Sequence, residues 1–157
     1  MDAPLHFVDD ALSIGRIPTE FFMGDCVVAD LRSEPDAQLN VRLAKRYRGV
    51  KRVLLRTHHS NETKSSTYQP HGRLLTPEAT SFLLDNGLQL LGTDRLSIDD
   101  SSGRDYHLHQ LVLGAGCVIL EGLLLSHVVP GEYILSAAPL LLPEAEASPV
   151  RAFLIRK

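Results

Sequence analysis

The sequence is poor in several features that would each declare a class. Its 157 residues hold only two cysteines, Cys26 and Cys117, so no disulfide framework can hold the fold. Each cysteine sits in an apolar run, which predicts buried reduced thiols and suits a cytoplasmic protein. No basic-then-apolar leader opens the chain, since Asp2, Asp9 and Asp10 fall among its first ten residues. The most apolar stretch, Cys117 to Leu125, is interrupted by Glu121 and is far short of the ~20 residues that span a bilayer. A soluble protein is expected. There is no Gly-rich phosphate loop, no dinucleotide fingerprint, no Gly-x-Ser-x-Gly elbow and no Cys-x-x-Cys pair.

What is present reads as an ordinary globular chain. Hydrophobic residues make up 44% and charged residues 22%, with a net charge of −3, which excludes bulk disorder and the basic face of a general nucleic-acid binder. The length suits one domain over residues 1–157. Cys26 to Leu31, Val50 to Thr57, Leu88 to Asp94, Cys117 to Leu123, Tyr133 to Leu142 and Val150 to Ile155 read as strands. Helices are expected over Pro35 to Tyr47, where Leu39, Leu43 and Tyr47 recur every fourth residue, and over Tyr106 to Leu113. A third has the clearest start: Thr76 as N-cap, Pro77 in the first position, Glu78 in the first turn, and Gly87 as the stop after Asn86. Residues 58–75 show no period and read as a binding loop, a lid or a disordered stretch. Ser101 to Asp105 reads as a polar turn. Helices between central strands, with a hairpin-like pair at the end, predict an α/β fold on a mixed sheet.

The chemistry left to the chain is that of histidine and acid. Asp2 and His6 would stand ~13 Å apart on one side of an extended segment, so Pro4 must turn the chain if they share a site. His107 and His109 are two apart on a helix, so only one of them faces a given site. Glu121, inside an apolar run, needs either a structural arginine partner or a metal. His109 and Glu121 could converge at the C-terminal end of a strand, where α/β sites form. The acids of Gly92-Thr93-Asp94-Arg95-Leu96-Ser97-Ile98-Asp99 read as a site wall or as turn caps. His58, His59 and His71 read as solvated loop residues, and His127 as a helix-end residue.

Asp2-Ala3-Pro4-Leu5-His6 resembles the second half of His-x-Gly-Thr-His-x-Asp-x-Pro-x-His. That is the signature of the metal-dependent cyclase and hydrolase family, which includes bacterial kynurenine formamidase and isatin hydrolase. Val53-Leu54-Leu55-Arg56-Thr57, Thr76-Pro77-Glu78-Ala79, Gly92-Thr93-Asp94 with Ser97 and Asp99, Glu121-Gly122-Leu123, Pro130-Gly131-Glu132-Tyr133, Ala138-Pro139-Leu140 and Ser148-Pro149-Val150-Arg151-Ala152 resemble the family's later landmarks in order. The resemblance covers essentially the whole chain. It implies a β/β/α swivelling fold, homo-oligomers, zinc or manganese, and hydrolysis of an amide, formamide or cyclic amide. By the same resemblance Asp2, His109 and Glu121 are metal ligands and His6 is the catalytic histidine. The chain begins just before the motif's Asp, without the strands and the two histidines that precede it in the family. A weakly active or inactive chain with a fraying Asp2 is therefore expected. Arg95-Leu96 stands where the family often has a small residue and Pro. The alternative reading is a non-catalytic relative, a scaffold or small-molecule-binding subunit.

Overall fold

The computed structural model describes residues 1–59, 73–100 and 106–157. Six strands form one mixed sheet: β1 (Met23–Asp30), β2 (Arg52–Arg56), β3 (Leu90–Thr93), β4 (Val118–Leu120), β5 (Gly131–Ser136) and β6 (Phe153–Arg156). Their order is β4-β3-β2-β1-β5-β6. The first four run parallel, and β5 and β6 continue antiparallel. Among the described residues three α-helices join them: α1 (Val41–Ala44), α2 (Pro77–Asp85) and α3 (His107–Gly114). This is the expected α/β mixed-sheet architecture.

The parallel strands are buried on both faces, so their sequences are continuous apolar runs. Val53, Leu55, Leu91 and Ile119 point to the helices and pack with Leu43, Leu83, Leu108 and Val112. Val28, Leu54, Leu90 and Val118 point the other way, onto Ala3, Ile14, Ile17 and Phe22 of the opening segment. Gly92 lies where two strands crowd each other. A Cβ there would collide with the side chain of Leu54.

Local signals account for most element ends. Thr76 Oγ1 accepts the Ala79 N–H at 3.2 Å, and Asn86 and Gly87, the latter at φ 88°, end α2. The expected helix over Pro35 to Tyr47 is interrupted. A 3-10 turn at Pro35–Ala37 ends in Ala37 at φ 48°. Leu39 is then drawn fully into the core by a bridge to Leu75. Asn40 caps a fresh start by accepting the Leu43 N–H. Burying Leu39 outweighs continuity of the helix.

Other boundaries also differ from expectation. β5 stops at Ser136: the Ala137 N–H still donates to the Phe22 carbonyl, but Pro139 has no N–H to carry a ladder further. β4 ends at Leu120, so Glu121 stands just past the strand rather than inside it. His127 is exposed in a turn, not at a helix end. His71 and Ser101 to Asp105 lie outside the described residues. Both cysteines are free and buried, as expected.

Asp2 does not fray. Its N–H donates to the Ile119 carbonyl at 2.8 Å and its carbonyl accepts the Ile119 N–H at 3.2 Å. On its other side it bridges Ala147. The Met1 ammonium donates to the Ser148 carbonyl at 3.0 Å. The opening residues thus line the free edge of β4.

Candidate metal centre

Three elements meet where the ends of β3 and β4 approach the start of α3. Opposed residues of an antiparallel pair project to one face. Asp2, opposite Ile119, therefore points to the helix side of the sheet. Glu121, two residues beyond Ile119, is delivered to the same corner. His109 comes down from the first turn of α3. One ligand atom from each of Asp2, His109 and Glu121 lies within 4.8 Å of the others. His109 Nε2 is 3.4 Å from Glu121 Oε1. His109 is buried and His107 only half-buried, so one histidine of the pair faces the site, as helical spacing requires.

Among the described residues, Glu121 pairs with His109 and no arginine partners it. Its Oε1 accepts the Ile98 N–H at 2.8 Å, and its side chain is 19% exposed. Burial pushes its carboxyl up to about 7, against the opposing pull of His109 and the Ile98 N–H, while Asp2 adds to the rise. Burial pushes the His109 imidazole down. The hydrogen bond that His109 donates to Asp99 and the charges of Glu121, Asp99 and Asp2 outweigh that and raise it. Burial likewise raises the Asp99 carboxyl, but His109 and two backbone N–H groups more than compensate and hold it low.

His6 is not part of this cluster. It ends a 3-10 turn, Pro4–His6, rather than an extended segment, and its Nδ1 meets Glu146 Oε1 at 3.1 Å. The Phe7 ring links it to the site, 5.0 Å from the rings of both His6 and His109. Tyr106 stands edge-on to His109 at 5.9 Å. Glu146 and this aromatic group were missed in the sequence. Nothing local marks Glu146, which is 140 residues from His6.

The acids of the 92–99 segment are caps and site wall at once. Asp94 is buried and accepts the Thr57 N–H and hydroxyl, the latter at 2.7 Å. This ties the ends of β2 and β3 together. Asp99 receives α3 and His109. Of the loop histidines, His58 is exposed with Nε2 3.0 Å from the Arg32 carbonyl. His59 is buried rather than solvated, its N–H donating to Thr57 Oγ1 at 3.1 Å.

Comparisons with known proteins agree with this architecture. The profile of the Cyclase family matches residues 1–100. A kynurenine formamidase of Delftia acidovorans is 36% identical over 154 residues, which are 98% of this chain and 72% of that protein. Among solved structures, one described as a potential metal-dependent hydrolase with cyclase activity superposes with a TM-score of 0.83 at 29% identity, over 98% of this chain and 75% of that one. Isatin hydrolase A from Labrenzia aggregata superposes with a TM-score of 0.78 at 26% identity, over 99% and 72%.

Proposed function

The chain belongs to the Cyclase family of hydrolases, and on that premise we propose that it hydrolyses the amide bond of a formamide or cyclic amide, with a divalent metal held by Asp2, His109 and Glu121 and with His6 as general acid and base. The observation that carries this reading is the convergence of those three donors from the opening segment, α3 and the end of β4.

The donor set fits a divalent cation. It offers one imidazole and two carboxylates, the nitrogen and oxygen ligands of catalytic zinc, with three protein donors leaving a position open. Glu121, pushed up to about 7 by burial, is a carboxyl that gains from a nearby cation. Zinc or manganese bound there supplies a Lewis acid for the substrate carbonyl and lowers the pKa of water toward ~7. His6 takes a proton from the attacking water and gives it to the leaving nitrogen. Glu146 engages Nδ1, so Nε2 is the atom that exchanges this proton. Phe7 and the half-exposed Tyr106 offer aromatic faces to an aryl substrate such as a kynurenine formamide.

The reading includes a homo-oligomer and a cytoplasmic location, the latter supported by two free buried thiols. No helix among the described residues is long and apolar enough to cross a membrane.

The test is turnover of an aryl formamide and of isatin with zinc or manganese added. Metal-dependent turnover that is lost in His6→Ala and falls steeply in His109→Ala and Glu121→Gln is the expected result. Turnover indifferent to His109→Ala and Glu121→Gln would remove the metal centre from the reading.

A further inference from the structure

Asp99 stands outside the three-donor cluster, yet it controls the residue that enters it from α3. Its side chain is 2% exposed and that of His109 is 6% exposed. One oxygen, Oδ1, accepts the Leu108 N–H at 2.9 Å. The other, Oδ2, accepts the His109 N–H at 3.0 Å and meets His109 Nδ1 at 2.6 Å. Tyr106, at the N-cap of α3, makes no side-chain cap. The first-turn N–H groups that a helix leaves unpaired are therefore satisfied by a carboxylate from the preceding segment.

We propose that Asp99 is the positioning residue of the metal centre: by accepting the Nδ1–H of His109 it fixes the ring's tautomer and turn, and presents Nε2 as the ligand atom. The proposal rests on the metal-centre reading above. The geometry leaves the ring one choice. With Nδ1 committed to an anionic oxygen at 2.6 Å, the proton of the neutral ring belongs on Nδ1, and the lone pair is on Nε2. That nitrogen is the one 3.4 Å from Glu121. A carboxylate behind a ligating imidazole also raises its basicity, and loss of such a partner typically costs about 10–100-fold in metal affinity. The helix-capping bonds make the device rigid, because the same carboxylate sets both where α3 begins and how His109 is turned.

The experiment uses the whole chain and two readouts. Long-range 1H–15N spectra of histidine-labelled, metal-free protein at alkaline pH report which nitrogen of His109 carries the proton. Titration with Co2+, followed by its visible absorption, reports metal affinity. Wild type is expected to show His109 protonated on Nδ1. Asp99→Asn is expected to mix the tautomers and weaken Co2+ binding about 10–100-fold, with the other histidine signals unmoved. Asp99→Ala also removes the helix cap, so it is paired with Asp99→Ala/Tyr106→Ser, which restores a cap at the helix start. Affinity still lost in the double variant supports positioning. Affinity recovered there shows that Asp99 is only a cap, and overturns the proposal. An unchanged tautomer in Asp99→Asn overturns it as well. A wild type that shows the Nδ1–H tautomer yet binds no Co2+ overturns both the positioning role given to Asp99 and the metal-centre reading. Co2+ bound equally by wild type and Asp99→Asn overturns this proposal alone.

Discussion

Asp2 faces Ile119 across two backbone hydrogen bonds, 2.8 Å one way and 3.2 Å the other, and this short ladder aims the Asp2 carboxylate at His109 and Glu121. The bonds belong to the main chain, so placement and ligation are separable. Asp2→Asn should keep the ladder and weaken metal binding, by about tenfold or ~1.4 kcal/mol. Hydrogen exchange at the Ile119 amide should stay as slow as in wild type. Removal of residues 1–3 should speed it. Fast Ile119 exchange in Asp2→Asn would contradict the ladder.

The three donors converge on one point, which sets a stoichiometry. One divalent ion per chain is expected from elemental analysis after zinc loading and desalting. Removal by a chelator should reverse it, and Glu121→Gln should lower the retained fraction. Two tightly held ions per chain would require donors beyond Asp2, His109 and Glu121.

Burial pushes the thiols of Cys26 and Cys117 up to about 11. At Cys26 the nearby Arg52 charge opposes that rise without cancelling it. The thiolate is the reactive form, and here it is scarce at neutral pH as well as hidden. Neither thiol should be alkylated in the native protein, and both should react once it is denatured. Mass spectrometry after iodoacetamide reads the result directly.

Much of the frame is legible in residue order, because the signals are local. Thr76-Pro77-Glu78 and Gly87 bound α2, the run Val53-Leu54-Leu55 reads as a buried strand, and helical spacing separates His107 from His109. The departures arise where distant segments decide. Leu39 breaks its helix because Leu75 offers it a bridge. His59 looks like a loop histidine until Thr57 and the strand ends bury it. Among the candidate ligands, the convergence of His109 and Glu121 at a strand end could be read from the residues, whereas Asp2 rested on resemblance, since no spacing ties it to the other two. Asp99 was visible only as an acid after a strand, because its partner is ten residues on.

Asp30 and Arg32 close a tight turn at the end of β1, with Arg32 Nη2 2.6 Å from Oδ2 and Nε 2.9 Å from Oδ1. The hydrogen bonds from the Arg32 side chain hold the Asp30 carboxyl below its ordinary range, against a smaller opposing effect of burial. A carboxyl lowered in the folded state stabilises the fold above its unfolded value of ~3.9. That contribution disappears as pH falls through the lower folded value. Arg32→Ala should therefore cost roughly 0.5–1 kcal/mol at neutral pH, as for a partly exposed pair. The gap from wild type should close in acid. Urea melts across that pH range test the sign.

The far edge of the sheet bears on assembly. The register puts Met23, Ile134, Phe153 and Ile155 on the helix-side face of β1, β5 and β6, beyond the part that α1 to α3 cover. They are 51%, 38%, 53% and 56% exposed. An apolar row of this kind on an edge pair favours association. The same strip carries Asp25 paired with Lys157 at 2.9 Å and Arg151 stacked on Phe153 at 5.3 Å. Both signs of charge border the apolar row, as the rim of an interface between identical surfaces requires. Sedimentation of wild type is expected to give a dimer or a larger closed assembly. Phe153→Asp and Ile155→Lys should shift it toward monomer with little loss of chain stability, because both side chains are already more than half exposed. A monomeric wild type at high concentration, or variants that assemble as well as wild type, would show that this face is not where copies meet.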